Sequence, residues 1–258
     1  MLKRKYYIEQ PEVKQSSLFK IPKGQKILKH YDMVTITREF DNMDAIRFFN
    51  SCLIGKYQKE EFDKEEFYPV DIDYYAKQAK ISRGKAYDEA YSLAKRFLGT
   101  SITVDLGKGN FWDSSLIYEI QYNKDQQVLR IKWNLKLIPL ISGNMERGKF
   151  LYIDARMSDI KSSKRYFLYE FIQKNLYKFN KDSEVILSTA EIREAAKVES
   201  TEYTDFKELN RRLIKPTLQD IYEKLGVKLK AKGNKCSVTL TRDLKWIKLE
   251  IKDAKINE

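Results

Sequence analysis

Between Thr204 and Lys215 a step of about 100° per residue puts Thr204, Lys207, Glu208, Arg211 and Lys215 on one side of a helix, with Arg212 flanking them and Phe206, Leu209 and Leu213 opposite. An Arg guanidinium can donate two parallel hydrogen bonds to a guanine edge, while Lys and Thr suit phosphates or base edges. The chemistry on offer is recognition of a polyanion rather than bond breaking. Downstream, Lys228, Lys230, Lys232 and Lys235 fall at alternating strand positions or in the turn between two strands, where cations can follow a phosphate backbone. A weaker set, Lys85, Ser92 and Arg96, shares its helix face with Asp88 and Glu89, whose carboxylates repel phosphates. That helix is expected to make auxiliary DNA contacts or to serve in dimerisation.

Other chemistries find little support. Gly143-Asn144-Met145-Glu146-Arg147-Gly148-Lys149 has the spacing of a phosphate-binding loop, and Phe150 to Asp154 imitates an apolar strand ending in an acid. Phe150 stands where a magnesium-holding Ser or Thr is needed, and a strand follows where a helix N-terminus should cradle the anion. An interdomain turn is the better reading. Two cysteines, Cys52 and Cys236, and the single His30 cannot assemble a zinc site or a His-x-His metal pair, and His30 reads as a surface residue. No catalytic residue, metal or cofactor is expected. No apolar run approaches the roughly 20 residues of a membrane span, and Met1-Leu2-Lys3-Arg4-Lys5 is not followed by an apolar stretch, so a reducing, cytoplasmic location is expected.

Charge is unevenly distributed. The 258 residues carry a formal net charge of +12. Residues 1–30 hold eight Lys/Arg against two Asp/Glu, and residues 203–258 fourteen against eight, while the stretch between them is balanced. Two contact zones fit this pattern better than a generally basic surface.

These residues need elements to position them. Residues 1–30, Lys-rich and without sustained period, read as a flexible basic arm. Residues 31–157 read as one domain and 158–258 as another. In the first, a helix is predicted over Asp44 to Tyr57, followed by an acidic loop at Glu60 to Glu66. Strand character follows at Val70 and Ile72, then a short helix from Tyr74 to Lys80 and a second helix capped by Ser82 and running to about Leu98. Ser101 to Val104 is strand-like, Gly107 to Asn110 a turn, and Leu116 to Tyr122 pairs with Val128 to Trp133. The second domain repeats the order: a helix from near Ser162, a strand at Glu184 to Leu187, and a Ser188-to-Glu191 capping box opening a helix to about Lys197. A helix from near Thr204 is predicted to break at Pro216, which opens a further segment closed by Gly226. A hairpin of Val227 to Ala231 and Cys236 to Thr241 turns at Lys232 to Lys235, and Trp246 to Ile251 adds a last strand. A faint repeat aligns Ala79-Lys80-Ile81, Tyr87, Leu93 and Arg96-Phe97-Leu98 with Ala196-Lys197-Val198, Tyr203, Leu209 and Arg212-Leu213-Ile214. The fold class is α+β, with tandem winged-helix domains, each a helix-turn-helix plus a β-hairpin wing.

The residues Lys161-Ser162, Leu168-Tyr169-Glu170, Phe206, Arg211-Arg212-Leu213-Ile214-Lys215-Pro216 and Ile221 resemble the signature of plasmid replication initiators of the iteron-binding Rep superfamily. Thr217 and Asp220 stand where that pattern usually has Ala and Glu, and Phe167 where an Arg often precedes Leu-Tyr-Glu. The likeness spans about residues 31 to 251. It implies monomers that bind double-stranded DNA at directly repeated origin sites and help melt adjacent DNA. It further implies homodimers in equilibrium with monomers, acting on an operator inverted repeat, with the host initiator DnaA and the replicative helicase as partners. The second domain is expected to supply most of the readout. The alternatives are a winged-helix transcriptional regulator without initiator activity and, further off, a P-loop ATPase or DNA nickase.

Overall fold

The computed structural model describes residues 6–7, 26–30, 33, 36–40, 42–56, 61–62, 67–107, 110–134, 137, 150–175 and 184–242. They divide into two compact units, one running to Ser163 and the other from Lys164. The loop at 143–149, the strand expected at 246–251 and most of the basic arm lie outside the described residues.

The first unit contains strands β1 (Tyr6–Tyr7) and β2 (Lys26–His30), helix α1 (Met43–Lys56), strands β3 (Glu61–Phe62) and β4 (Tyr68–Pro69), and helices α2 (Ile72–Ala79) and α3 (Arg83–Gly99). Strands β5 (Ser101–Gly107), β6 (Asn110–Ser115), β7 (Ile117–Asn123), β8 (Val128–Trp133) and β9 (Phe150–Asp154) follow. Strands β4, β8 and β7 form one antiparallel sheet in that order, while β5 with β6, β2 with β9 and β1 with β3 form separate pairs.

Ile72 begins a helix rather than continuing a strand, because the Asp71 carboxylate accepts the Tyr74 amide at 2.8 Å and caps α2 there. Ser82 caps α3 as its position predicts, accepting from the Lys85 amide. The buried stripe of α3, Ala90, Leu93, Ala94 and Phe97, delivers Phe97 against Phe40 at 4.8 Å and Phe48 at 5.2 Å between ring centroids. The end of the expected arm is instead structural. Lys26–His30 pair with Phe150–Asp154, and Lys29 is fully buried, its Nζ donating to Thr37 Oγ1 at 3.2 Å above the Phe49 ring. That lysine belongs to the core, not to a surface available to an anion.

Helix α4 (Ser163–Asn175) starts at the last residue of the first unit and, from Lys164, opens the second, followed by β10 (Glu184–Ser188), α5 (Thr189–Ala195) and α6 (Phe206–Leu209). A π-helical turn (Asn210–Ile214), α7 (Lys215–Leu225), β11 (Leu229–Gly233) and β12 (Ser237–Arg242) complete it. The sheet order is β10-β12-β11, the same first-last-middle arrangement as β4-β8-β7. The predicted capping box is formed: Ser188 Oγ accepts the Glu191 amide and Glu191 Oε2 accepts the Ser188 amide.

The helix expected to break at Pro216 does not break. Its turn widens, so that the Lys215 amide donates to the Asn210 carbonyl five residues back. The extra residue accommodates a ring that has no amide to offer and would clash with a regular turn. Thr217 Oγ1 donates to the Leu213 carbonyl at 2.8 Å, adding a bond beside the proline. Residues 206–225 therefore form one rod, closed by Gly226 in the left-handed conformation. Among the described residues no helix is long and apolar enough to cross a membrane.

Candidate nucleic-acid interface

The rod of the second unit is two-faced. Leu209, Leu213, Ile214, Thr217, Leu218 and Ile221 are buried along one side. Lys207, Arg211, Arg212 and Lys215 are exposed along the other, and exposed Thr204 precedes the rod. Asp205 is the residue that caps it, accepting the Glu208 amide at 2.7 Å. Asp205 and Glu208 have the spacing of a capping box, a signal in the sequence that explains why the helix starts at Phe206 rather than Thr204.

The wing meets the start of this rod. Lys230 and Lys232 lie exposed on β11, opposite Thr241 and Thr239 of β12. Lys235 is exposed in the turn, and Lys228, half-buried, precedes the strand. Asn234 shapes the turn by accepting the Cys236 and Ser237 amides at 2.8 and 3.1 Å. The turn is also tied to α5, since the Thr189 amide donates to the Cys236 carbonyl at 3.0 Å and Thr189 Oγ1 to the Asn234 carbonyl at 3.2 Å. At Gly233 a Cβ would stand 2.5 Å from the Ser237 carbonyl oxygen and 3.0 Å from the Phe206 ring. This close approach brings the wing turn, flanked by Lys232 and Lys235, to the first residue of the helix that carries Lys207 and Arg211.

Several supports gave no separate signal as functional residues. Arg193 of α5 fans its guanidinium over the connection to the rod, donating to the carbonyls of Tyr203 (2.8 Å), Glu202 (2.7 Å) and Glu199 (3.1 Å). Glu202 in turn accepts from Lys164 of α4. This bond, with the Glu199 amide, holds the Glu202 carboxyl below the usual glutamate range. Arg165 of α4 pairs with Asp220 of α7 at 2.8 Å, which anchors the far end of the rod. Burial nevertheless raises the Asp220 carboxyl above its ordinary value, with Arg165 opposing. The run Leu168-Tyr169-Glu170 is wholly buried, so it supports the scaffold rather than the exposed face.

The first unit presents a different surface. Lys85, Ser92 and Arg96 come together as expected, on one face of α3, in a cleft of about 450 Å³. Asp44, Asp88 and Glu89 line the same cleft. Lys85 pairs with Glu89 at 3.4 Å, while Asp88 accepts from Tyr122 of β7 at 3.2 Å and lies 3.8 Å from Lys124. Tyr91 stacks on Tyr122 with 4.2 Å between centroids, and Lys95 lies over Tyr91. The α3 face is thus internally compensated, whereas the rod of the second unit keeps a cationic excess.

A helix, a strand, two further helices and a β-hairpin, set out twice along the chain, define a tandem winged-helix protein. Residues 26–173 match the family described as Initiator Replication protein, WH1, and residues 188–242 match Initiator Rep protein, WH2. The chain belongs to this replication initiator family. Among solved structures it is similar to the Pi initiator protein in complex with iteron DNA, with a TM-score of 0.67 and 19% identity, over 85% of this chain and 97% of that one. Lesser similarity extends to the WH1 domain of the MSBI1.176 replication protein, isolated from a multiple sclerosis patient (TM-score 0.35, 13% identity, 43% of this chain and 88% of that one). Domains 2 and 3 of RctB give a TM-score of 0.45 at 10% identity, over 78% of this chain and 82% of that one. No curated protein matches the chain.

Proposed function

We propose that this protein is a sequence-specific double-stranded DNA-binding initiator of plasmid replication that acts by binding and distorting DNA, without catalytic chemistry of its own. The observation that carries this reading is the line of exposed Lys207, Arg211 and Lys215 on a rod whose opposite side is buried. Side chains four apart on a helix share a face, and a face of this kind fits the major groove. Arg211 and Lys207 read base edges, Arg212, Lys215 and Thr204 contact bases or phosphates, and the wing lysines Lys228, Lys230, Lys232 and Lys235 follow the backbone. Family membership supports initiation, and the iteron DNA bound by the similar Pi protein supports directly repeated origin sites as the target.

The finer proposal is that monomers bind the repeats and promote local melting, with contact energy offsetting a bending cost of roughly 1–6 kcal/mol. Dimers formed through the first domain repress the initiator's own promoter. Lys85, Ser92 and Arg96 make auxiliary DNA contacts, and the host initiator and helicase are recruited at the opened origin.

Footprinting on the DNA that flanks the gene tests the reading. Protection of several direct repeats beside an AT-rich stretch supports an initiator; protection of an inverted repeat alone points to a regulator. Arg211→Gln is expected to abolish preference for the repeated site in a competition assay, and unchanged discrimination would refute the role assigned to Arg211.

A further inference from the structure

Glu208 lies on the cationic face rather than away from it. Its Oε1 accepts from Arg212 at 3.0 Å and from Arg211 at 3.5 Å. Both arginines are largely exposed, so these bonds add little to folding stability. The carboxylate is two-thirds covered, and its backbone amide is fixed by the Asp205 cap. One anion therefore sits, on a rigid helical turn, among the four cations Lys207, Arg211, Arg212 and Lys215.

Facing a phosphate backbone, such an anion is costly. Non-specific binding derives essentially all its strength from cation–phosphate contacts. An arginine shared with a carboxylate gains less from a phosphate, and the carboxylate repels the same phosphate. At a cognate site the arginines turn to guanine edges, which carry no net charge, and the penalty from Glu208 is smaller. The two modes of binding are thus penalised unequally.

Resting on the reading of this rod as the DNA-recognition helix, we propose that Glu208 is a specificity-determining positioning residue. It restrains Arg211 and Arg212 from phosphates and so suppresses binding to non-cognate duplex more than binding to the cognate repeat. Its negative charge, not its shape, carries the effect.

The test uses the full chain and two duplexes: a repeat selected by the wild-type protein from a random-sequence pool, and a shuffled duplex of the same composition. Affinities are measured across a salt series for wild type, Glu208→Gln, Glu208→Ala and Glu208→Asp, with helix content and unfolding temperature followed in parallel. Both neutral variants are expected to bind the shuffled duplex about threefold or more tightly, with a salt slope steeper by about 0.9 for each additional phosphate neutralised. Their ratio of cognate to shuffled affinity is expected to fall, and Glu208→Asp to retain it. A ratio unchanged or raised in Glu208→Gln and Glu208→Ala, or lost equally in Glu208→Asp, overturns the assignment. A wild type that selects no sequence at all overturns the DNA-reading proposal itself, which separates that failure from the failure of Glu208.

Discussion

Lys80 and Lys197 hold the same left-handed backbone conformation, φ 58° and 50°, in the turn that follows the first helix of each helix-turn-helix, Lys80 directly after Ala79 and Lys197 two residues after Ala195. In both, the following apolar residue returns its amide to the carbonyl five positions back: Ile81 to Ala76 at 3.1 Å, Val198 to Arg193 at 2.9 Å. This is the geometry that closes a helix by reversing the chain. The aligned triplets Ala79-Lys80-Ile81 and Ala196-Lys197-Val198 thus have a common structural job.

A non-glycine residue in that conformation is strained by about 1–2 kcal/mol, part of which glycine regains and part of which it returns as unfolded-state entropy. Lys197→Gly is therefore expected to stabilise the protein slightly, by up to about 1 kcal/mol, while Lys197→Val destabilises it. Urea unfolding of the two variants against wild type checks the sign of each.

Gly233 tolerates no side chain. Its Cβ would lie 2.5 Å from the Ser237 carbonyl oxygen and 2.9 Å from the Val238 Cα, both backbone atoms that cannot swing aside. Gly233→Ala is expected to cost about 1–3 kcal/mol, as overpacking does, and to loosen the wing from Phe206. Hydrogen exchange should rise at the amides of β11 and β12.

Arg193 holds three carbonyls of the connection between α5 and the rod. Arg193→Met keeps most of the apolar stem and removes those donors. Hydrogen bonds from a charged group are worth roughly 1.5–3 kcal/mol each in net terms, so a loss of about 2–3 kcal/mol is expected even with partial replacement by water. DNA affinity should fall at the same time, because the rod is no longer fixed to α5.

Glu202 predicts an acid-sensitive second unit. Its carboxyl is lowered by Lys164 and by the Glu199 amide, so the stability it contributes is present above the unfolded value, about 4.3 for glutamate, and is lost as the pH falls through the lower folded value. Asp220, raised chiefly by burial, has the opposite sign: its contribution is greatest below its unfolded value and is lost as the pH rises through the folded one. Glu202→Gln is expected to flatten the acid limb of a stability–pH curve, and Asp220→Asn to leave that limb at least as steep. Chemical denaturation at intervals between about pH 3 and 6 distinguishes the two.

Much of this architecture was legible because its signals are local. Ser82, the Ser188-to-Glu191 box and Gly226 each act within one turn, so their spacing alone places helix ends. The repeat was legible only in part. Leu93 and Leu209, and Phe97 and Leu213, are buried counterparts on the second helix of each helix-turn-helix, but Tyr87 lies inside α3 whereas Tyr203 lies before α6, and Leu98 is exposed where Ile214 is buried. The longer connection of the second unit shifts the phase between turn and helix. The cationic face was equally readable, since a single helix determines it. The Arg193 fan, the Lys164 bond and the Arg165–Asp220 pair were not, because each joins elements separated in the chain.

The sequence by itself determined most of the helices, the hairpin wings, the order that repeats across two units, and which helix carries an unbalanced positive face, whereas the pairing of Lys26–His30 with Phe150–Asp154 came from the fold. Tertiary structure decided what those charges are worth. It buried Lys29 inside the first unit, engaged Lys85 with Glu89, and set Glu208 between Arg211 and Arg212. It also carried the rod through Pro216 by widening one turn. Periodicity along the chain records which face a residue occupies, but the field and hydrogen bonds that residue meets come from neighbours brought close by folding, and these set whether a cation remains available to an anionic partner.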